Sequence, residues 1–299
     1  MHIPPDAYRL HEPLPHLEAP VLVSALAGWI DASGAAAAAL AMVAAACDVR
    51  TVATFDGDLF IDYRARRPMM ELREGVNERI VWPEIVLQVG RTPEGTDVVV
   101  LTGPEPDAAW QMFAATLTEL VGRLGVDTAV FLGAYPFATP HTRPSRLSCS
   151  TPSRELVETL GLLRNSVDVP AGVSAILEHA LHDAGIAAVG LWAQVPHYLG
   201  TMSFPAASVA LIDGLEQVAG VRVDATLLRN EATLQRERID QLVESNNEHQ
   251  AMVGQLETLY DQFDGEQLAL PMATFSNEDL PSGDELAAEF ERFLRDQDT

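Results

Sequence analysis

Lysine is absent from all 299 residues, so each of the 19 basic side chains is an arginine. Genomic base bias is the simpler origin of that absence, but it has chemical consequences whatever its origin. No Schiff base with a substrate or with pyridoxal phosphate can form, and no P-loop lysine can reach a nucleotide phosphate. Positive charge of any kind is scarce, with 43 acidic side chains and a formal net charge of -24. An acidic chain repels nucleic acid, whose backbone requires a basic face, so no nucleic-acid partner is expected. Cysteine occurs twice, at Cys47 and Cys149. That excludes a disulfide framework and points to a reducing cytoplasm. Long apolar runs are missing too. The alanine-rich stretch Ala32 to Ala46 is interrupted by Ser33 and Gly34, and a membrane span needs about 20 apolar residues. The start, Met1-His2-Ile3-Pro4-Pro5-Asp6, lacks the basic and apolar regions of a signal peptide, so a cytoplasmic protein without a membrane partner is expected.

What remains is 47% hydrophobic, enough for one sizeable core and an appendage. Residues 224–299 carry 18 acidic and 5 basic side chains, against 25 and 14 in residues 1–223. This shift divides the chain into an α/β domain over 1–223 and an acidic helical extension over 224–299. In the first part, short apolar runs alternate with helical patterns. Strands are expected at Pro20 to Ala27, Arg50 to Phe55, Ile80 to Val89, Asp97 to Thr102, Asp127 to Leu132 and Ala187 to Val195. Helices are expected from Asp31 to about Cys47 and at Asp107 to Leu124, Val173 to Ala184 and Phe204 to Val218. The polar, Pro-rich segment Ala138 to Ser153 reads as irregular. The alternation predicts a three-layer α/β sandwich with a largely parallel sheet. After Val223 a heptad seam begins at Leu228 and runs through Ile239, Leu242, Val253 and Leu256 to Phe263. It is compatible with one rod or with a pair of helices broken at Ser245-Asn246-Asn247 or Gly254. A last amphipathic helix is expected from Ser282, with Leu286, Phe290, Phe293 and Leu294 on one face.

In α/β sheets, functional groups collect beyond the carboxyl ends of strands, and four such segments stand out. Gly28-Trp29-Ile30-Asp31-Ala32-Ser33-Gly34 is a strand-to-helix turn. It suits an anion at a helix N-terminus or, more simply, tight packing with an N-cap at Asp31 or Ser33. Asp56, Asp58 and Asp62 precede Tyr63-Arg64-Ala65-Arg66-Arg67-Pro68. The acids lack the spacing of a calcium loop, and no metal is expected. The arginines suit ion pairs, a subunit interface or bidentate capture of an anion. Pro140-His141-Thr142-Arg143-Pro144 presents a polar trio on stiff backbone, and Val195-Pro196-His197-Tyr198 closes an apolar strand. His141 and His197 are the acid–base candidates if these loops meet, and Cys149 is a nucleophile only if one of them approaches it. Trp29 and Trp192 read as core or pocket wall.

These segments, with Pro281-Ser282-Gly283-Asp284-Glu285-Leu286, resemble the bacterial branch of the proteasome assembly chaperone 2 family. The resemblance extends over nearly the whole chain and implies an α/β fold like that of nucleoside phosphorylases and related hydrolases, a helical C-terminal part and homo-oligomers, with a trimer as the expected order. It further implies an interaction or assembly role with proteasome subunits as possible partners, and it carries over no catalytic residue and no cofactor. Members are also labelled ATP-dependent carboxylate–amine ligases, a reading that this lysine-free chain without a nucleotide fingerprint does not support. Archaeal relatives end in a hydrophobic-Tyr-any-residue tail. This chain ends Asp296-Gln297-Asp298-Thr299, so docking by such a tail is not expected. The rival is an enzyme or small-ligand binder acting on an anionic or nucleoside-like substrate in a cleft lined by Asp31, Arg64, Arg66, Arg67, His141, Arg143 and His197. A third reading has these loops building only the oligomer.

Overall fold

The computed structural model describes Pro4, residues 6–28 and residues 30–262. Trp29, Phe263 and the expected helix from Ser282 lie outside the described residues. The strands are β1 (Tyr8–Leu10), β2 (Val21–Ser24), β3 (Arg50–Phe55), β4 (Met69–Arg73), β5 (Val76–Val81), β6 (Val86–Arg91), β7 (Asp97–Thr102), β8 (Thr128–Phe137), β9 (Leu147–Ser150) and β10 (Ala187–Pro196). The helices are α1 (Ala35–Ala46), α2 (Gly57–Phe60), α3 (Trp110–Leu124), α4 (Arg154–Leu160), α5 (Val173–Asp183), α6 (Pro205–Ala219), α7 (Thr226–Glu244) and α8 (Asn247–Gln262).

Eight strands form one sheet in the order β1-β3-β6-β7-β2-β8-β10-β9, and β4 and β5 form a separate hairpin. Alternation along each buried strand builds two cores. Val21, Val23, Val98, Val100, Val130 and Val189 face α1 and α6. Leu22, Val99, Leu101, Ala129 and Ala188 face α3 and α5. Strand side chains change face at every residue, so a run buried on both sides requires helices on both sides. The three layers follow from that. The sheet is mixed rather than largely parallel. β7, β2, β8 and β10 are mutually parallel, whereas β1, β3, β6 and β9 add antiparallel pairings at the flanks. The reason is local: only a few residues join β6 to β7, too few for the crossover that a parallel pair needs.

Two expectations fail for equally local reasons. Ile80 to Val89 is two strands, because Pro83 between Val81 and Val86 has no N–H for a ladder. The polar segment Ala138 to Ser153 contains β9, which pairs antiparallel with β10 from Leu147↔Ala193 to Ser150↔Gly190. Main-chain bonding to an open edge overrides the polar composition there. The heptad seam breaks at Ser245-Asn246, where Asn246 Oδ1 accepts Glu248 N at 2.9 Å and starts α8. Asp240 of α7 and Glu257 of α8 reach neighbouring residues of one loop. On an unbroken helix they would stand about 25 Å apart, so the two helices fold back on each other. Leu228 and Ile239 of α7 are buried in the same core as α1 and α6. Among the described residues no helix is long and apolar enough to cross a membrane.

Candidate functional site

β3 runs parallel to β7 through two antiparallel steps, β3 to β6 and β6 to β7. The carboxyl ends of β2, β3, β7, β8 and β10 therefore share one edge, and all four polar segments lie beyond it. Within that edge they form two clusters, and Ser33 of the first segment ties its turn to the one after β10, donating from N to Gly200 O at 2.8 Å and from Oγ to Leu199 O at 2.9 Å.

The first cluster surrounds Gly28. Arg66 Nε lies 3.1 Å from Asp107 Oδ1, and Asp62 N donates to Asp107 Oδ2 at 3.0 Å. The backbone at Gly28 has φ +152°, and a Cβ there would come within 2.8 Å of the Arg66 guanidinium and 3.0 Å of Glu105 Cβ. The turn therefore needs glycine for conformation and for space. Glu105 Oε1 accepts Val173 N at 2.5 Å, so this carboxylate takes one of the N–H groups left unpaired at the start of α5. Asp56 caps α2 by accepting Leu59 N at 2.8 Å. Gly57 leaves room for the Tyr63 hydroxyl, and burial with nearby Asp58 and Asp56 pushes the Tyr63 phenol pKa up. Arg64 and Arg67 are exposed, and their guanidinium groups have no partner among the described residues. Asp31 belongs to neither cluster: it accepts Ala36 N at 2.8 Å and Ala37 N at 2.9 Å, which starts α1.

The second cluster fastens α7 and α8 to the loop after β8. His141 is buried. Its backbone N–H donates to the Tyr198 hydroxyl at 2.8 Å, its Nδ1 lies 2.7 Å from that hydroxyl, and its Nε2 lies 3.0 Å from Asp240 Oδ1. A hydroxyl that accepts the backbone N–H is left to donate to Nδ1. Nε2 then carries the hydrogen and donates to Asp240. Burial lowers the His141 pKa, which favours this neutral tautomer. Burial also pushes the Tyr198 phenol well above its ordinary pKa. The connectivity hydroxyl–imidazole–carboxylate is that of a nucleophile relay, but a phenol held protonated in this way makes a fastening. His197, exposed, meets the Tyr198 ring edge-on at 5.4 Å.

Next along the loop, Arg143 grips Asp261 with two bonds, 2.9 and 2.7 Å, and Glu257 with a third at 3.1 Å. These partners hold its pKa above the ordinary arginine value. Thr142 donates to Glu257 Oε1 at 2.5 Å, and the Arg146 guanidinium lies 3.7 Å over the Tyr260 ring. Replacing Arg143 by alanine leaves Glu257 and Asp261 facing each other unneutralised. Hydrogen exchange of α8 amides, read by mass spectrometry, is expected to accelerate roughly tenfold while that of α5 stays unchanged.

Two features escaped the sequence. One is a buried acid. Glu178 on α5, 4% exposed, accepts Ser150 Oγ at 3.0 Å, and Trp192 Nε1 donates to the same Oγ at 3.0 Å. Gly190 clears space for the group, since a Cβ there would lie 2.3 Å from Ser150 Oγ and 2.6 Å from Glu178 Oε1. Gly133 likewise makes room for the Trp192 ring, which helps line a cleft with Glu105, Phe131, Val173 and Leu177. Burial pushes the Glu178 pKa up to about 8. The signal was present: Glu178 falls on the apolar stripe of α5 with Leu177 and Leu181. Cys149, beside Ser150, makes no bond to either histidine among the described residues, and burial raises its thiol pKa. The other feature is the hairpin β4–β5. Met69 is 68% exposed, Val76 61% and Trp82 51%, with Met70, Leu72, Ile80 and Val81 also exposed. Its base is held by the Trp82 ring against Tyr63 at 4.7 Å.

The chain as a whole has counterparts among known proteins. The sequence profile of the PAC2 family matches residues 25–243. The chain belongs to the PAC2 family. A Mycobacterium tuberculosis protein of unknown function, Rv2714, is 34% identical with a TM-score of 0.77, covering 87% of this chain and 90% of its own. The proteasome-assembly chaperone homologue Rv2125 of the same organism is 33% identical with a TM-score of 0.72, covering 78% and 99%. A PAC2 family protein of Streptomyces avermitilis is 36% identical with a TM-score of 0.71, covering 78% and 99%. A comparison with curated proteins finds no match.

Proposed function

We propose that this PAC2 family chain is a cytoplasmic assembly-chaperone-like protein that self-associates through β4–β5 and engages proteasome subunits. The observation that carries the reading is the exposed hairpin. A two-stranded ribbon is marginal in water alone, and an apolar surface of this extent marks an interaction site. Exposed Arg64 and Arg67, without internal partners, stand at its root and add charge-assisted bonds to an acidic partner. A second copy of this chain, at net charge -24, supplies acidic surface, and a closed ring of copies, a trimer in the simplest case, covers every hairpin. The family supplies the second half of the reading, since Rv2125 is a homologue of proteasome-assembly chaperones. Arg66 and Arg143 are bound to carboxylates of their own chain, so the anion-binding enzyme reading loses two of its four arginines.

Mixing the full chain with separately purified proteasome α and β subunits and following co-elution tests the subunit role. A stable co-eluting complex with unassembled subunits is expected, and it disperses once the core particle has closed. If neither subunit co-elutes and the yield of assembled particle is unchanged, the assembly role is wrong.

A further inference from the structure

The buried carboxyl of Glu178 accepts one hydrogen bond, from Ser150 Oγ at 3.0 Å, and among the described residues no cation pairs with it. Ionising such a group is costly, and the cost vanishes once the carboxylate reaches water. What yields is the part of the fold that opens most easily. Three features make β9 that part. It is an edge strand of four residues, next to β10 in the sheet. On its outer side one residue holds it, with Leu163 N donating to Leu147 O and Cys149 N donating to Leu163 O, both at 3.2 Å. Leu147 and Cys149 pack against the core under α1 and α6, so Ser148 and Ser150 alternate to the face of α5. That face of β9 is hydroxyl, not hydrocarbon, and exposing it forfeits little apolar burial.

The surrounding elements supply no replacement charge. From β9 come Ser150 and, on the far face, Cys149, whose thiol is pushed up by burial and less strongly by Glu178. Arg164 acts on that thiol but forms no ion pair with Glu178. β10 presents Gly190 and Trp192. On α3, Glu119 and Arg123 lie 3.8 Å from each other, and on α5 itself His179, His182 and Asp183 are exposed. A separate set of bonds ties β9 to α8. Arg146 Nη2 donates to Tyr260 O at 3.0 Å, the Tyr260 hydroxyl donates to Pro144 O at 3.0 Å, and Arg143 holds Glu257 and Asp261. These anchors directly precede β9, and the sheet frames them where Gln194 N donates to Arg146 O at 3.0 Å.

We propose that ionisation of Glu178 opens β9 and α8 together as one local unit, while β2, β7 and β8 stay closed. Opening lets the carboxylate reach water and takes the loop from Thr142 to Arg146 out of its frame, so α8 loses its anchors. Below about pH 8 the closed state keeps a proton that the open state releases. Opening is therefore favoured as pH rises from about 4.5 to 8 and gains nothing further above that. The device is separate from the hairpin and independent of the assembly role.

Amide hydrogen exchange of the full chain, followed from about pH 6 to 9 and expressed as protection factors, tests it. Protection in β9 and α8 is expected to fall together, about tenfold per pH unit up to about pH 8, and then to level off. At every pH it is expected to lie at least about tenfold below that of β2 and β7, which open only with the whole fold. In Glu178→Gln the fall with pH disappears from both elements. Equal protection in β9 and β7 would mean that only global unfolding exposes the carboxyl, and that result overturns the proposal. So does a pH-independent α8 beside a responsive β9, or a Glu178→Gln chain that keeps the slope of the parent. If that variant does not fold, the shared fall of β9 and α8 below the core in the native chain decides the matter alone.

Discussion

Exchanging Met70 and Ile80 for aspartate is expected to leave a folded monomer if the proposed self-association through β4–β5 holds. The two residues are cross-strand partners, and both are exposed in the single chain. Burying each against a second copy contributes about 1.5–3 kcal/mol. Losing both, and placing two carboxylates directly opposite each other on a surface already rich in negative charge, weakens association by at least about a hundredfold. Light scattering in solution reads the mass, and thermal melting confirms that the protomer is intact. The protomer should survive, because β4 and β5 are paired only with each other, and the Tyr63–Trp82 contact at their base is untouched. A variant that keeps the mass of the parent would remove the hairpin from the interface.

The second large effect concerns Glu178. Its pKa is raised by burial from 4.5 to about 8 in the folded protein, while in the unfolded chain it returns to the ordinary carboxylate value. Between those values the folded state holds a proton that the unfolded state has released. Stability from this group is therefore fully present below about pH 4.5 and is lost as pH rises toward 8. At about 1.36 kcal/mol per unit, the loss between pH 5 and 8.5 is on the order of 4 kcal/mol. Glutamine in place of Glu178 accepts the same Ser150 hydrogen bond and has no charge to bury. Denaturant melts across that range should find Glu178→Gln close to the parent at pH 5 and more stable than it by about that amount at pH 8.5. Curves that stay parallel would show that the carboxyl is already ionised in the folded protein.

Much of the architecture was readable because burial leaves a periodic record. The doubly buried runs of β2, β7, β8 and β10 and the helices between them are local patterns, and a resemblance carried by the four polar loops named the family. At the sheet's flanks β3 and part of β6 were readable, but β1 and β9 were not. β9 lies in a polar segment and is a strand only because β10 presents it with an open edge. β4 and β5 carry no clean alternation, since exposed apolar residues are mixed with Glu71, Arg73, Glu78 and Arg79 along the hairpin. The candidate residues were legible as a set, but not their grouping. Arg66 and Arg143 look alike in sequence, and one ends against Asp107 while the other ends against Asp261, far along the chain. Glu178 was passed over because a single acid on a helix reads as solvent-facing until its face is known.

By itself the sequence determined the chemistry open to this protein. A chain without lysine, with two cysteines and with heavy negative charge has a restricted list of reactions and partners in any fold, because those limits follow from side-chain types alone. Its helical and strand periods also settled which segments are buried. Tertiary structure alone decided which distant charges meet, which way the C-terminal helices turn, and which apolar surface stays uncovered. Those are questions of long-range pairing, and the free energy that answers them comes from groups more than a hundred residues apart, as with Arg143 and Asp261.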